Sequence, residues 1–218
     1  MNKKIIVTVL LLFSALLGYS QVSWNVKAGM NVSTQTLYGV DCLKPGYQFG
    51  VGMDYYFTDN WGIQPSVMLI SKGYKSNHHV LYQDIPQTFA YDYYITVNRI
   101  YAEMPVMLAY RINLSNTMKL VLNGGGYISY GIGGKRHDKF NVDGSIFEST
   151  SNTFSSYPWV LISYKPPRFD TGLVAGVTFE FKNKYTIGLI GELGLKEVDG
   201  LSKNQTYGIN VGYKFQAR

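Results

Sequence analysis

Between residues 46 and 57 every second residue is large. Tyr47, Phe49, Val51, Met53, Tyr55 and Phe57 fall on one face of an extended chain, and Gln48, Gly50, Gly52 and Asp54 on the other. Residues 206–215 repeat the pattern, with Tyr207, Ile209, Val211, Tyr213 and Phe215 against Thr206, Gly208, Asn210, Gly212 and Lys214. A third run sets Leu173, Ala175, Val177, Phe179 and Phe181 against Gly172, Gly176, Thr178 and Glu180. Residues 23–31, 61–74, 100–111, 119–131 and 185–195 keep the same period less cleanly; Met68 and Ile70, for example, interrupt the third strand. No segment carries a convincing helical period, so eight strands are expected.

The connections narrow the fold further. Residues 58–60, 113–116 and 182–184 are short and turn-like, whereas 32–45, 75–96, 132–168 and 196–204 are longer. Short and long alternate strictly, which puts every short turn at one end of the sheet and every long loop at the other. Phe57, Trp61, Tyr110, Phe181 and Tyr185 flank the short turns at one level, as an interfacial aromatic girdle would. The expectation is an all-β, eight-stranded antiparallel up-and-down transmembrane β-barrel, with short periplasmic turns, longer outer loops and both termini periplasmic.

The N-terminus points to export. Lys3 and Lys4 precede an uncharged, mostly apolar run over 5–17, and Gly18 and Ser20 supply small residues for signal-peptidase cleavage. The expected division is a signal peptide at 1–20 and a barrel domain at 21–218, with an uncleaved anchor as the alternative. The run is too short to cross a bilayer as a helix, and no cysteine follows it to carry a lipid. Cys42 is the whole cysteine content, so no internal disulfide stabilises the fold. The 19 Tyr and 23 Gly suit strands, tight turns and a headgroup interface. The net charge of +6, two of it in Lys3 and Lys4, is scattered without a basic run, and nucleic acid is not an expected partner.

Alternation alone leaves open which face is inside, since a lipocalin-like soluble barrel buries its apolar face. Here the apolar face is bulky and the other is repeatedly Gly, Ser, Asn and Thr. An eight-stranded interior has room only for side chains, so the small, polar face belongs there. It also carries Lys27, Lys72, Arg111 and Lys214 against Asp54, Glu103, Glu180 and Glu192, a set able to form a neutral ion-pair network. A solvated outer face with mixed charges is the alternative.

Residues 24–31 (WNVKAGMN), 48–57 (QFGVGMDYYF), 61–65 (WGIQP) and 101–110 (YAEMPVMLAY) together resemble the small outer-membrane β-barrel family of Bacteroidetes that includes the PorT-like proteins. The resemblance runs over essentially the whole mature chain and implies an eight-stranded outer-membrane barrel. PorT-like proteins are associated with protein secretion, a role the resemblance implies only by analogy.

Sites for chemistry are scarce. His78, His79 and His137 all fall in expected outer loops, and Ser76 lies two residues before His78 with no strand expected to place a third partner. Glu103 and Glu192 would suit glycoside chemistry only with a cleft, and an ion-pair role is favoured. His78, His79 and Asp84 match no established metal spacing. Gly124-Gly125-Gly126 lacks a phosphate loop's strand-to-helix setting and reads as a close contact or bend in the wall. Cys42 has no local cation beyond Lys44 to activate it. No cofactor, metal or catalytic residue is expected, and the chain reads as a non-enzyme.

The long loops concentrate aromatic residues. Tyr91, Tyr93 and Tyr94 in one, and Tyr157, Trp159, Tyr164 and Arg168 in another, form a candidate binding surface. Packing of these residues on one another above the membrane is equally consistent with the sequence. The expected partners are outer-membrane lipid together with other envelope proteins or surface polysaccharide. The role expected first is structural or binding, through the outer loops of a barrel with a filled lumen. Its rivals are a secretion or assembly subunit, a small porin, a soluble ligand binder and a lipid-modifying enzyme.

Overall fold

A computed structural model describes residues 22–36, 43–84, 87–142, 145–155, 165–198 and 202–216. The expected signal peptide and Cys42 lie outside them. Nine strands run β1 (Val22–Gln35), β2 (Lys44–Tyr56), β3 (Trp61–Asp84), β4 (Gln87–Asn113), β5 (Met118–Val142), β6 (Ser145–Asn152), β7 (Phe169–Phe181), β8 (Tyr185–Glu197) and β9 (Lys203–Gln216). All but β6 close a ring in the order β1-β2-β3-β4-β5-β7-β8-β9, every pair antiparallel. The last strand returns to the first through a ladder from Ser23↔Gln216 to Gln35↔Asn204. These are the eight strands the alternation predicts.

The bulky apolar face points outward. Trp24, Val26, Phe49, Val51, Val106, Leu108, Ile128, Val177, Leu189 and Val211 are all exposed on the wall. Asn25, Gln48, Asp54, Lys72, Glu103, Glu180, Glu192 and Lys214, one residue out of phase, are buried inside. A soluble barrel of lipocalin type would show the reverse. Met68 and Ile70 break the alternation because both lie inside the ring, where their neighbours are polar.

The short turns sit at one end, as expected. Lys182 and Asn183 have φ of 52° and 55°, and the Lys184 N–H donates to the Phe181 carbonyl at 3.0 Å, which makes a type I′ hairpin turn. Beside the turns, Trp61 packs on Tyr110 with ring centroids 4.8 Å apart, and Tyr185 on Tyr213 at 5.5 Å. Phe57, Phe181 and Phe215 complete the exposed aromatic ring at that level.

The long-loop end differs from expectation. Within segment 75–96, residues 75–84 continue β3 and residues 87–96 belong to β4, paired from Ser71↔Ile100 up to Asp84↔Gln87. β5 likewise runs on to Val142; its lower part, through Tyr130, pairs with β7 and its upper part, Lys135–Val142, with β6. β3 has 24 residues, about 80 Å of strand at ~3.3 Å per residue. A bilayer needs only ~9–11 tilted residues per strand, so more than half of β3 stands clear of it. Alternation fades above the ring because no lipid enforces a uniformly apolar face there.

The glycine triplet has one position that requires glycine for space. A Cβ on Gly125 would lie 2.1 Å from the Val106 carbonyl oxygen, whereas on Gly124 its nearest neighbour would be 3.8 Å away. Gly125→Ala is therefore expected to cost ~1–3 kcal/mol by overpacking, and Gly124→Ala to be near neutral. Urea midpoints of the two variants refolded in lipid vesicles check this; equal midpoints would refute the contact.

Candidate functional site

The chemistry of the chain lies in its lumen and in the sheet that stands above the ring. Strand parity puts every second side chain inside, and the ring brings residues distant in sequence into layers. Nearest the short turns, the Lys214 ammonium sits between Asp54, at 2.7 Å, and Glu180. Asn25 Nδ2 donates to Asp54 Oδ1 at 3.0 Å. Arg111 lies 3.9 Å from Glu180, with its guanidinium 3.4 Å from the Tyr56 ring centre.

Above this layer, Asn123 donates to Gln64 at 3.2 Å and Gln48 to Asn210. Gln48, Asn123 and Asn210 line a cavity of about 50 Å³, with Lys27, Met68 and Met107. Next comes Lys72, buried completely, with its ammonium 2.6 Å from Glu103 and 2.8 Å from Glu192. The same ammonium is 4.1 Å from the Tyr127 ring centre. Tyr127 donates its hydroxyl to Asp170 at 3.3 Å, and Asn204 donates to the same carboxylate oxygen at 2.9 Å.

The ion-pair network expected from sequence thus joins Lys72 to Glu103 and Glu192, and Lys214 and Arg111 to Asp54 and Glu180. Lys27 lies beside Asp54 and Lys214 but makes no ion pair within 4.0 Å among the described residues. Arg99 and Asp170, both fully buried, were not expected in the lumen. They lie just beyond the segments whose alternation was clear, so strand length was the missing signal.

A stopper closes the outer end. Just after β6 the chain turns inward and sets Phe154 edge-on against Tyr101, with centroids 6.1 Å apart. The Arg168 guanidinium lies over that ring, 4.7 Å from its centre, and donates to the Gly131 carbonyl at 2.7 Å. It helps hold the stopper, where the sequence suggested a binding surface.

Lys44, three residues above Tyr47 on β2, lies beyond the exposed apolar band of that strand. It donates to Ser71 at 3.2 Å, and Ser71 donates to Asn98 at 2.7 Å. Burial, reinforced by the charge of Lys75, pushes the Lys44 ammonium down to about 8.

Above the stopper, β3, β4, β5 and β6 form a four-stranded blade. Tyr93 stacks on Phe140 at 4.3 Å, donates to Asp138 at 2.6 Å and accepts from Arg136 at 2.9 Å. Burial and the bond to Asp138 push its hydroxyl up to about 12. Tyr93 therefore fastens β4 to β5, while Tyr94 is exposed on the opposite face. Tyr91 pairs through its backbone with Val80 and Val142. Tyr157, Trp159 and Tyr164 lie outside the described residues, as do the side chains of His79 and Asp84.

Ser76 and His78 share one face of β3, with Oγ and Nε2 2.8 Å apart, so a strand does place this pair. The Ser76 side chain is buried, at 2% exposure.

The fold and this lumen define a transmembrane β-barrel with a polar, packed interior. The chain belongs to the outer membrane protein beta-barrel domain family, whose model matches residues 13–200, and an outer-membrane location follows from that membership. Among solved structures it is similar to the attachment invasion locus protein Ail of Yersinia pestis, in complex with the heparin analogue sucrose octasulfate. Identity to Ail is 18%, with 89% of this chain and 99% of that chain covered and a TM-score of 0.41. Neisserial surface protein A is 13% identical, with 91% and 98% covered and a TM-score of 0.41. The outer membrane enzyme PagL is 10% identical, with 88% and 99% covered and a TM-score of 0.36. No curated protein matches the chain.

Two outcomes follow from the lumen. Lys72→Met leaves Glu103 and Glu192 facing each other unpaired and is expected to cost ~3–5 kcal/mol, read as a lower urea midpoint in vesicles. A wild-type midpoint would show that the ion pairs contribute nothing. Lys44 has its folded value lowered from the ordinary 10.5 to about 8. In that interval the unfolded chain holds a proton that the folded chain has released, so stability contributed at this site rises with pH. Wild type should gain midpoint between pH 8 and about pH 10 relative to Lys44→Met; parallel profiles would overturn this.

Proposed function

We propose that the protein is a non-conducting outer-membrane barrel that holds a binding blade outside the cell. One observation carries this reading. β3, β4, β5 and β6 extend past the apolar band into a sheet whose last strand, β6, has an edge paired with no other described strand. Ile146 and Phe147 on that strand are 57% and 61% exposed. An open edge with exposed apolar side chains is the arrangement that takes up an extended polypeptide by strand addition. Another envelope protein is therefore the partner favoured over polysaccharide.

The same reading puts the short turns and both termini in the periplasm. The lumen, whose mid-level cavity is about 50 Å³ and whose charged side chains pack across it in ion-paired layers, supports a structural wall more than a solute path. It also supports a non-catalytic role, since the Ser76 side chain is buried and so is not presented to a substrate carbonyl. A role in secretion, implied by the PorT-like resemblance, would use the blade as its docking surface.

The test is a photoreactive amino acid at Phe147 in living cells. One discrete cross-linked envelope protein is expected, lost when Thr150→Pro blocks the strand edge. Absent or diffuse adducts would sink the blade as a binding surface, and stepwise conductance in planar bilayers would sink the filled lumen. A deletion of β6 that blocks export of other proteins would assign the docking to secretion.

A further inference from the structure

On the outward face of β4 and β5 the apolar wall ends abruptly. Along β4, alternate residues from Tyr110 to Ile100 are apolar, and Asn98 is the first polar one. On β5 the last outward apolar residue is Ile132, 53% exposed, and Lys135 follows it beyond the register shift at Ile100. Register sets Asn98 directly across from Lys135, and sets Lys75 of β3 across from Thr96, the next outward position on β4. Asn98 is therefore flanked by two exposed lysines, one opposite and one diagonal, where lipid chains give way to headgroups.

The charge there is unmatched. Among the described residues, the two cross-strand rows that hold these lysines, ending on β6 at Asn152 and Thr150, carry no carboxylate. Neither lysine makes an ion pair among the described residues. The first acids on this face, Glu148 and Asp92, come in the next two rows out, and Glu148 is already paired with Lys139 at 3.1 Å. Hydrogen-bond direction is a second observation. Lys44 donates to Ser71, and Ser71 donates to Asn98 Oδ1 at 2.7 Å. Asn98 thus accepts with its oxygen, and its Nδ2 remains as a donor. Lys44, only 7% exposed, adds charge from beneath; burial and the charge of Lys75 hold its ammonium down. Two ammonium groups and an amide N–H call for an acceptor-only, anionic group.

We infer that the foot of the blade binds the phosphate of an anionic outer-leaflet lipid, with Lys75 and Lys135 on its oxygens and the Asn98 amide between them. A lipid is the occupant this position selects. The same face runs without a break into the exposed wall of Met104, Val106 and Ile132, against which the acyl chains lie. That the leaflet is the outer one rests on the orientation proposed above. The affinity for an anionic lipid does not, nor does it rest on the open edge of β6.

The probe is dioleoyl phosphatidic acid, offered together with dioleoyl phosphatidylcholine to the full barrel in neutral detergent and counted on the protein by native mass spectrometry. Preferential retention of phosphatidic acid is expected. A lysine beside an anionic lipid contributes about a factor of five in affinity, so Lys75→Gln and Lys135→Gln should each lower retention by about that factor and together by roughly tenfold or more. Asn98→Asp, which sets a carboxylate between the lysines, should lower it too. Both lysines are exposed, so the double variant should keep the wild-type urea midpoint.

Equal retention of the two lipids, or wild-type retention in the double variant, would overturn the site. So would loss of phosphatidic acid in Lys182→Gln, in the turn at the other end of the barrel, with none in the double variant. Displacement of the lipid by inorganic phosphate would assign the lysines to a dissolved anion, and displacement by polyglutamate to an acidic polypeptide; either would overturn the lipid reading. None of these results bears on the edge of β6, whose cross-link is read separately.

Discussion

Ring closure is the constraint from which the rest of the structure follows. In hydrocarbon each unpaired backbone N–H or C=O costs several kcal/mol, so a sheet can cross only if its first and last strands meet. Here they do, through the β1–β9 ladder. Closure at eight strands then leaves an interior only as wide as its side chains. That narrowness explains the small, polar lumen face, and it explains why the lumen charges lie in tight clusters. Lys72 and Lys214 each serve two carboxylates from different strands, so each cluster also ties together parts of the ring distant in sequence. Such clusters are weak evidence of net stability, because their desolvation offsets much of the attraction. Their clearer effect is on register: a slip of one residue would turn an ammonium or a carboxylate into lipid.

Where lipid acts on the chain, the sequence was readable. The wall of β2, β7 and β9 alternates without interruption, and the eight charges read as lumenal from parity all belong to strands of the ring. Legibility failed where lipid stops. Segment 75–96 resembles a loop because no lipid enforces one uniformly apolar face there, yet residues 75–84 and 87–96 pair along their backbones. Arg99 and Asp170 were lost with it, each at the border of a strand judged too short. The stopper was illegible for another reason: Phe154 reaches Tyr101 by a tertiary fold-back that no local period records.

The candidate binding residues divided along the same line. Tyr93 and Arg168 are aromatic and cationic residues in apparent loops, the usual marks of a recognition surface. In the fold one fastens two strands and the other holds the stopper. Composition does not distinguish an exposed anchor from an internal brace; only the partner strand does. Ile146 and Phe147 gave the opposite case, since two apolar residues in a polar stretch attract no notice until β6 proves to be a sheet edge.

The two open ends of the barrel are separated by its packing. Between the short-turn end and the blade lie the Lys214 layer, a cavity of about 50 Å³, the Lys72 layer and Phe154 beneath Arg168. Coupling between distant sites requires an element with two discrete arrangements, and a closed ring of paired strands offers few. The side chains inside are held by ion pairs, and at Gly125 the wall leaves no space even for a Cβ beside the Val106 carbonyl. An event at the blade would therefore reach the other side of the membrane by bringing in a partner, and not by a shift of the wall.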